Sequence, residues 1–293
     1  MEIRNILQID VEDWFCDLDV EDWNKYESRI IKNTEKILFL LRSTGNKATF
    51  FILGYFAEKF PELVRKIRDN GCEVASHGYS HTRIDKQTPE QFKQDIMRSK
   101  KIIEEIIKEK IIGYRAPQFT ITNKTLWALE ILKEAGFEYD SSIFPVKTPL
   151  YGILDSPRFP HIRKTIKGEI VEIPLSVYNL PLIKNRIPIA GGFYLRAFPY
   201  FFIKHAIKKI NDKNKPAVMF IHPWDLDPDK PKIEPKKLYK YYSLDSSDKS
   251  LKWFHYYGLK TAEKKFKKLL NDFRFISTKE WIKREYYETG KRS

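Results

Sequence analysis

The sequence predicts an α/β fold in which about seven parallel strands alternate with helices. Three observations carry that expectation. Short apolar runs rich in β-branched and aromatic residues recur between segments of helical period. One of them, Pro216–Ile221 (PAVMFI), is almost wholly apolar, as a strand covered on both faces must be. Glycines and prolines fall at the joints between the two kinds of segment. A parallel barrel or a doubly wound sheet satisfies all three.

The first strand is expected over Ile3–Asp10, which alternates weakly and ends in acid. A helix follows over Ser28–Ser43, where Ile30, Ile31, Ile37, Leu38 and Leu41 form an apolar stripe that Gly45 ends. Lys47–Leu53 (KATFFIL) is the second strand. Pro61 opens a helix that Gly71 closes, and Glu73–Ser76 is the third strand. Thr88-Pro-Glu-Gln has the form of a capping box ahead of a helix to about Lys108. Ile111–Ala116 is a strand, Asn123–Ala135 a helix stopped by Gly136, and Phe137–Ile143 another strand. Gly168–Ile173 reads as a strand, Phe198–Asn211 as a helix, Leu259–Leu270 as the last helix and Phe273–Ser277 as the last strand. The aromatic run Phe193–Ile207 carries Arg196, Pro199 and Lys204, so it reads as the start of a buried helix. Two stretches lack these signals: 148–188, Pro-rich and read as an insertion or rim, and 225–249, Pro- and Lys-rich and read as a long surface loop. The whole chain, 1–293, is read as one domain.

A chain of 293 residues, 42% hydrophobic and 31% charged, can bury a sizeable core. Its net charge of +14 would attract polyanions or an anionic membrane surface. The lysines, however, are spread along helical faces and the C-terminal third without the interleaved aromatics of a nucleic-acid motif. A solvated basic surface and no nucleic-acid partner are therefore expected. Cys16 and Cys72 are the only cysteines, which gives no disulfide framework and no Cys-based zinc knuckle and points to a reducing interior. The start of the chain lacks the basic and apolar regions of a signal peptide, and no run approaches the roughly 20 apolar residues of a membrane span. A cytoplasmic location is expected, with peripheral contact to an anionic membrane as a conjecture. No sequence pattern specifies an oligomeric state.

Polar residues gather at the strand ends. Asp10, Glu12 and Asp13 follow the first strand, His77 and His81 the third, Arg115 and Pro117 the fourth, Asp140 the fifth, and His222 the PAVMFI strand. In a parallel barrel the C-terminal ends of all strands open on one face, so these groups would converge. Within EVASHGYSH, Gly78 and Ser80 disfavour a continuous helix and put His77 and His81 on a loop. Two neutral imidazoles held together are the usual protein half of a transition-metal site. Alone, such a pair is more often a surface loop; the coincidence at five strand ends overturns that reading.

The motifs IDVEDW, SHGYSH, GYRAP, YDSSIFP and FIHPWD, spanning Asp10 to Asp225, resemble in order the five motifs of the NodB-homology polysaccharide deacetylases, a carbohydrate esterase family. DVEDW with HPWD and GGFYLR is most similar to the subgroup linked to exopolysaccharide systems. The resemblance implies a distorted (β/α) barrel. It also implies metal-dependent removal of acetyl from an N-acetylated sugar of a polysaccharide, oligosaccharide or glycolipid. His77 and His81 would bind the metal with one carboxylate of the first motif, leaving open positions for water and substrate as catalytic zinc requires. Zinc is the first expectation, with cobalt, nickel, manganese and iron as alternatives.

Asp10 matches the family's general base. The commoner family pattern has two adjacent Asp residues, whereas this chain has Val11 second, so the carboxylate ligand falls to Glu12 or Asp13. Strand alternation puts Glu12 on the face of Asp10 and favours it slightly; Asp13 stays open. Arg115 matches the arginine that orients the base through a two-pronged pair. Pro117 would fix the turn and the backbone N–H of Gln118 would help hold the oxyanion, although Phe119 stands where the family has Gly. His222 matches the general acid, and Asp140 the group that orients it. Trp224, Phe144 and Tyr194 are candidates to wall the acetyl pocket or stack on a sugar, while His161, His205 and His255 read as structural or surface residues. Two other functions fit the same residues. One is metal-dependent hydrolysis of a small amide, cyclic imide or ureide, favoured by the altered first motif and the absence of a secretion signal. The other is non-catalytic carbohydrate binding by a degenerate site.

Overall fold

The apolar strand runs bury both faces, which forces helices onto the outside of the sheet. The computed structural model describes residues 3–148, 151–179, 186–234 and 250–288. Strands β1 (Asn5–Val11), β2 (Thr49–Ile52) and β3 (Glu73–Ser76) are buried along their whole length. The same sheet continues through β4 (Gly113–Tyr114) and β5 (Tyr139–Asp140) to β6 (His161–Thr165) and β7 (Gly168–Glu172). On its other side lie β10 (Val218–Ile221) and β11 (Phe275–Ile276), both paired with β1. The order β10-β1-β2-β3-β4-β5-β7-β6 is parallel throughout except for the β6–β7 hairpin. Beyond β7 the chain returns to the opposite edge. The Ser176 amide donates to the Val218 carbonyl (3.2 Å), and the Val218 amide donates to Ser176 Oγ (2.7 Å). This single segment draws the curled sheet into a distorted barrel.

The helices follow their sequence signals closely where caps exist. Helix α1 (Ile30–Thr44) ends at Gly45 with φ +65°. After the short α2 (Gly54–Lys59), α3 (Pro61–Asp69) begins at its proline. Helix α4 (Pro89–Ile107) carries the expected reciprocal capping box between Thr88 and Gln91. Helix α5 (Trp127–Glu134) is shorter than expected.

Three expectations need correction. The aromatic run is two helices, α6 (Gly192–Ala197) and α7 (Tyr200–Asn211), because Pro199 holds Phe198 extended and cannot continue a helix. Phe201 is exposed, so this run is not buried along its length. The stretch 148–188 is no irregular insertion: it supplies the β6–β7 hairpin of the main sheet and a separate hairpin, β8 (Val177–Asn179) with β9 (Arg186–Pro188). Asp225, Leu226, Asp227, Lys230 and Ile233 are buried, so the second stretch does not begin as a surface loop. The remainder of that stretch, 235–249, lies outside the described residues, as do 149–150 and 180–185 of the first. The chain then forms α8 (Ser250–Tyr256), α9 (Leu259–Asp272) and α10 (Thr278–Ile282), of which only α9 was legible in the sequence. Among the described residues no helix is long and apolar enough to cross a membrane.

Strand pairing also creates one costly contact. The β5–β7 register sets Asp140 beside Glu172, and neither is exposed. Burial holds both carboxyls above their usual range, Glu172 well above it because the neighbouring Asp140 charge adds to the push, so of the two Glu172 holds its proton more tightly. A carboxyl raised in the folded state binds a proton that the unfolded chain releases. Its contribution is therefore complete below the unfolded pKa and is lost as pH rises through the folded one. Glu172→Gln should remove that loss, so its melting temperature relative to the parent should climb between pH 5 and pH 8. A difference that stays constant over this range in thermal melts would refute the raised Glu172 carboxyl.

Candidate active site

The loop leaving β1 turns at once: the Glu12 amide donates to the Asp10 carbonyl (2.9 Å). This turn sends the Asp10, Glu12 and Asp13 side chains to different tasks. Asp13 stays with the loop. Its Oδ1 accepts from the Trp14 amide (2.9 Å), and its Oδ2 accepts from Ser28 Oγ (2.5 Å) and the Arg29 amide (2.9 Å). Both oxygens are thus occupied in fastening the loop to the start of α1. Trp14, Phe15, Trp23 and Tyr26 pack edge-on and stacked beneath that loop.

Glu12 faces the histidines. Its Oε1 lies 2.8 Å from His77 Nε2 and 3.1 Å from His81 Nε2. The His77 ring donates from Nδ1 to the Arg115 carbonyl (2.8 Å), and His81 donates from Nδ1 to the Cys16 carbonyl (3.1 Å). A carbonyl only accepts, so each ring, when neutral, presents an Nε2 lone pair toward Glu12 and, when protonated, donates to it. Two lone pairs and a carboxylate oxygen aimed at one another need a cation or a proton among them. Glu12 is accordingly held well below the usual carboxylate range. Burial pushes it up, but the charges of His81 and His222 and hydrogen bonds from His77 and His81 outweigh that push. His81 is raised in turn, because its pairing with Glu12 outweighs burial. His81 also sits in the left-handed region at φ +56°, a strained placement for a non-glycine residue. Glu12, His77 and His81 form a donor set whose atoms lie within 4.8 Å of one another; Asp10, Glu12 and His222 form a second such set. Asp13 belongs to neither.

Asp10 is buried and receives Arg115 Nη1 at 2.6 Å. The pair is not two-pronged as the sequence suggested. Arg115 Nη2 goes to Gln8 Oε1 and to Ser141 Oγ (2.9 Å), and Nε goes to the Ser141 carbonyl (2.9 Å). Gln8 shares the strand face of Asp10, two residues back, and intercepts the second prong. Arg115 is fully buried over the Phe51 ring, 4.4 Å from its centroid. After Pro117 the backbone turns left-handed at Gln118 (φ +51°) and Phe119 (φ +54°). The Gln118 side chain donates to Asp17 Oδ1 (3.2 Å).

His222, at the end of β10, is not oriented by Asp140. Asp140 accepts from the Ser142 hydroxyl and amide, and Ser142 Oγ accepts the Ala116 amide (2.7 Å), so Asp140 braces the Arg115–Pro117 loop instead. The carboxylate that serves His222 is Asp225. Its Oδ2 accepts from His222 Nδ1 (3.0 Å) and from the His222 amide (2.9 Å). A 3₁₀ turn over Pro223–Leu226 makes this possible, since it stacks residues three apart. Burial opposes protonation of His222, but the Glu12 charge and the Asp225 hydrogen bond outweigh it and raise the ring to about 9. Asp225 goes the other way: despite burial, the Arg196 and His222 charges hold it at about 2. Trp224 stacks on the His222 ring with centroids 4.7 Å apart and Phe220 meets its edge, while His222 Nε2 points to Glu12 Oε2 at 3.9 Å. Phe144 stacks with Tyr151 beside Phe119, and Tyr194 packs between Phe193 and Phe198.

Sequence reasoning assigned no role to Gln8, Ser141, Glu172, Arg196, Asp225 or Lys230. Strand alternation could have found Gln8, and the spacing of three from His222 could have found Asp225. Arg196 and Lys230 left no local signal. His255, read as structural or surface, is buried behind Trp224 with its Nε2 3.6 Å from Asp17 Oδ2. His161 is partly buried and pairs with the Phe159 carbonyl, and His205 lies near the Tyr178 hydroxyl.

Comparison with known proteins finds two family matches along the chain. Residues 26–139 match the polysaccharide deacetylase family. The chain carries a NodB-type polysaccharide deacetylase domain. Residues 141–283 match a second family, described as a domain of unknown function (DUF3473). The candidate metal histidines of the deacetylase domain therefore meet a His222–Asp225 pair supplied by the other segment. A Bacillus cereus peptidoglycan-N-acetylglucosamine deacetylase is 35% identical over 104 residues, covering 33% of this chain and 36% of that protein. A Helicobacter pylori peptidoglycan deacetylase is 33% identical over 108 residues, covering 37% and 36%. The chain thus spans about a third of the length of the curated relatives it matches. Among solved structures, a Mycobacterium smegmatis candidate polysaccharide deacetylase shares the fold with a TM-score of 0.62 at 17% identity, over 98% of this chain and 91% of that one.

Removing one partner of a fully buried ion pair leaves the other uncompensated. Arg115→Met should therefore cost about 3–5 kcal/mol in urea denaturation. A variant as stable as the parent would show that Asp10 and Gln8 do not depend on the guanidinium.

Proposed function

We propose that this protein is a metal-dependent hydrolase that removes N-acetyl groups from an N-acetylated sugar of a polysaccharide or oligosaccharide. The observation that carries this reading is the convergence of His77 Nε2, His81 Nε2 and Glu12 Oε1, with Asp10 and His222 beside them. Two neutral imidazoles and one carboxylate suit zinc, and three protein ligands leave positions for water and substrate. A divalent ion held there would lower the pKa of water to about 7 and polarise an amide carbonyl.

The chain's own residues supply the proton transfers. Asp10, fixed by Arg115, takes a proton from the attacking water. His222 carries a proton on Nε2 and gives it to the amine as the C–N bond breaks, releasing acetate and leaving a free amine on the sugar. Asp225, on the far side of the ring, supports the imidazolium before that transfer and keeps Nδ1 protonated after it. The left-handed turn at Gln118 directs backbone toward the oxyanion, and Trp224 walls the site. Asp140 supports the loop that carries Arg115. Among the first-motif acids, Glu12 is the metal ligand, because both oxygens of Asp13 are engaged in the α1 junction.

The substrates named for the Bacillus and Helicobacter relatives make N-acetylglucosamine glycans the first to test, with an N-acetylhexosamine exopolysaccharide next. Purified protein supplied with zinc should release acetate from at least one of these. Asp10→Asn or His222→Gln should lower kcat roughly 10²- to 10⁴-fold. No acetate from any N-acetylhexosamine glycan would sink the proposal.

The ligand assignment has its own test. Glu12→Gln should weaken zinc binding, measured by metal competition, by at least roughly tenfold. Asp13→Asn should keep its zinc while losing stability. The reverse pattern would transfer the ligand role to Asp13.

A further inference from the structure

Arg196 lies in the GGFYLR stretch, outside the deacetylase-matched segment and with no role in the chemistry above. Its side chain is fully buried. The guanidinium Nε stands 2.9 Å from Asp225 Oδ1, at an angle too bent for a hydrogen bond, so the pairing is one of charge. The other two nitrogens hold the end of α8: Nη2 donates to the Phe254 carbonyl (2.9 Å), and Nη1 donates to the Tyr257 carbonyl (2.6 Å) and, more weakly, the His255 carbonyl (3.4 Å). Carbonyls at a helix C-terminus have no partner within the helix and favour cations. Lys230 joins the same cluster through the His255 carbonyl (2.9 Å) while its ammonium lies over Trp224.

The backbone of Arg196 is equally fixed. Lys265 Nζ donates to the Leu195 (3.2 Å), Arg196 (2.7 Å) and Phe198 (2.8 Å) carbonyls. Gly258, at φ +73°, packs so closely that a Cβ there would stand 2.7 Å from the Arg196 carbonyl oxygen. On the other side, a Cβ on Gly192 would fall 1.6 Å from Asp225 Oδ2, so the carboxylate lies directly against the start of α6. Arg196 is therefore held by groups other than Asp225, and Asp225 settles between that fixed cation, the Gly192 backbone and the two N–H groups of His222.

We infer that Arg196 is a positioning residue for proton donation: through Asp225 it sets the orientation of the His222 ring, and it makes that orientation depend on the docking of α8. This rests on the reading of His222 as the acid. A group that acts only through the acid matters where the leaving group needs a proton. An amine does; 4-nitrophenolate leaves as the anion. The amide-to-ester comparison therefore separates positioning from general support of the fold.

The experiment uses the full chain with zinc. The parent, Arg196→Met and Arg196→Lys are assayed on a chitin tetramer and on 4-nitrophenyl acetate, and the Nδ1 proton of His222, assigned by its loss in His222→Gln, is followed by NMR. In Arg196→Met the amide-to-ester ratio of kcat should fall roughly 10- to 100-fold, with KM for the tetramer little changed. The Nδ1 proton should shift or exchange faster with water. Arg196→Lys keeps the charge and should recover part of the ratio; it also serves if the Met variant does not fold. A parallel fall on both substrates, or an unchanged Nδ1 resonance, overturns the inference. A parent that releases no acetate fails the proposed function instead, and the resonance still reads the hold of Arg196 on His222.

Discussion

Most of the site depends on one buried guanidinium. Arg115 has no exposed surface, lies on the Phe51 ring and reaches Asp10, Gln8 and Ser141 with its three nitrogens. Its carbonyl takes the Nδ1–H of His77, which fixes that ring's lone pair toward Glu12. One residue thus ties β1, β5 and the loop after β3 to a common geometry. A cation desolvated this completely is stable only because acceptors surround it, so its partners are constrained as tightly as it is.

The same logic governs the other half of the site. His222, Asp225 and Arg196 form a line of alternating charge in which each member satisfies the burial cost of the next. This network lies wholly within the second matched segment, whereas the candidate metal histidines lie in the first, so the two halves of the site are built from different parts of the chain. The sheet explains why this is workable. Strand β10 pairs with β1 over Ile6 to Ile9, which places His222 within reach of Glu12 at the end of the neighbouring strand.

Asp140 shows how a residue at the right strand end can take a different task. It was expected to serve His222, but its strand partner is β7, and the register sets Glu172 beside it. Its remaining capacity goes to Ser142 and, through it, to the Arg115 loop. The vacated role passed to Asp225, three residues from His222 in sequence. Asp13 is a parallel case: the run of acids after β1 looked interchangeable, yet one turn of backbone separates an acid on the histidines from one that fastens α1.

The alternation of apolar runs and capped helices made the parallel α/β fold legible, because strand and helix periods and their Gly and Pro stops are local properties of the chain. The convergence of Asp10, Glu12, His77, Arg115 and His222 was legible for a related reason: parallel strands all end on the same face. What the sequence could not show was which partner each side chain would choose once there. Gln8 intercepting Arg115, Glu172 lying beside Asp140 and Arg196 gripping the end of α8 all come from contacts between segments tens of residues or more apart. Those choices follow from strand register and from the need of each buried charge for a partner. Only the tertiary structure decides which groups are near enough to satisfy it.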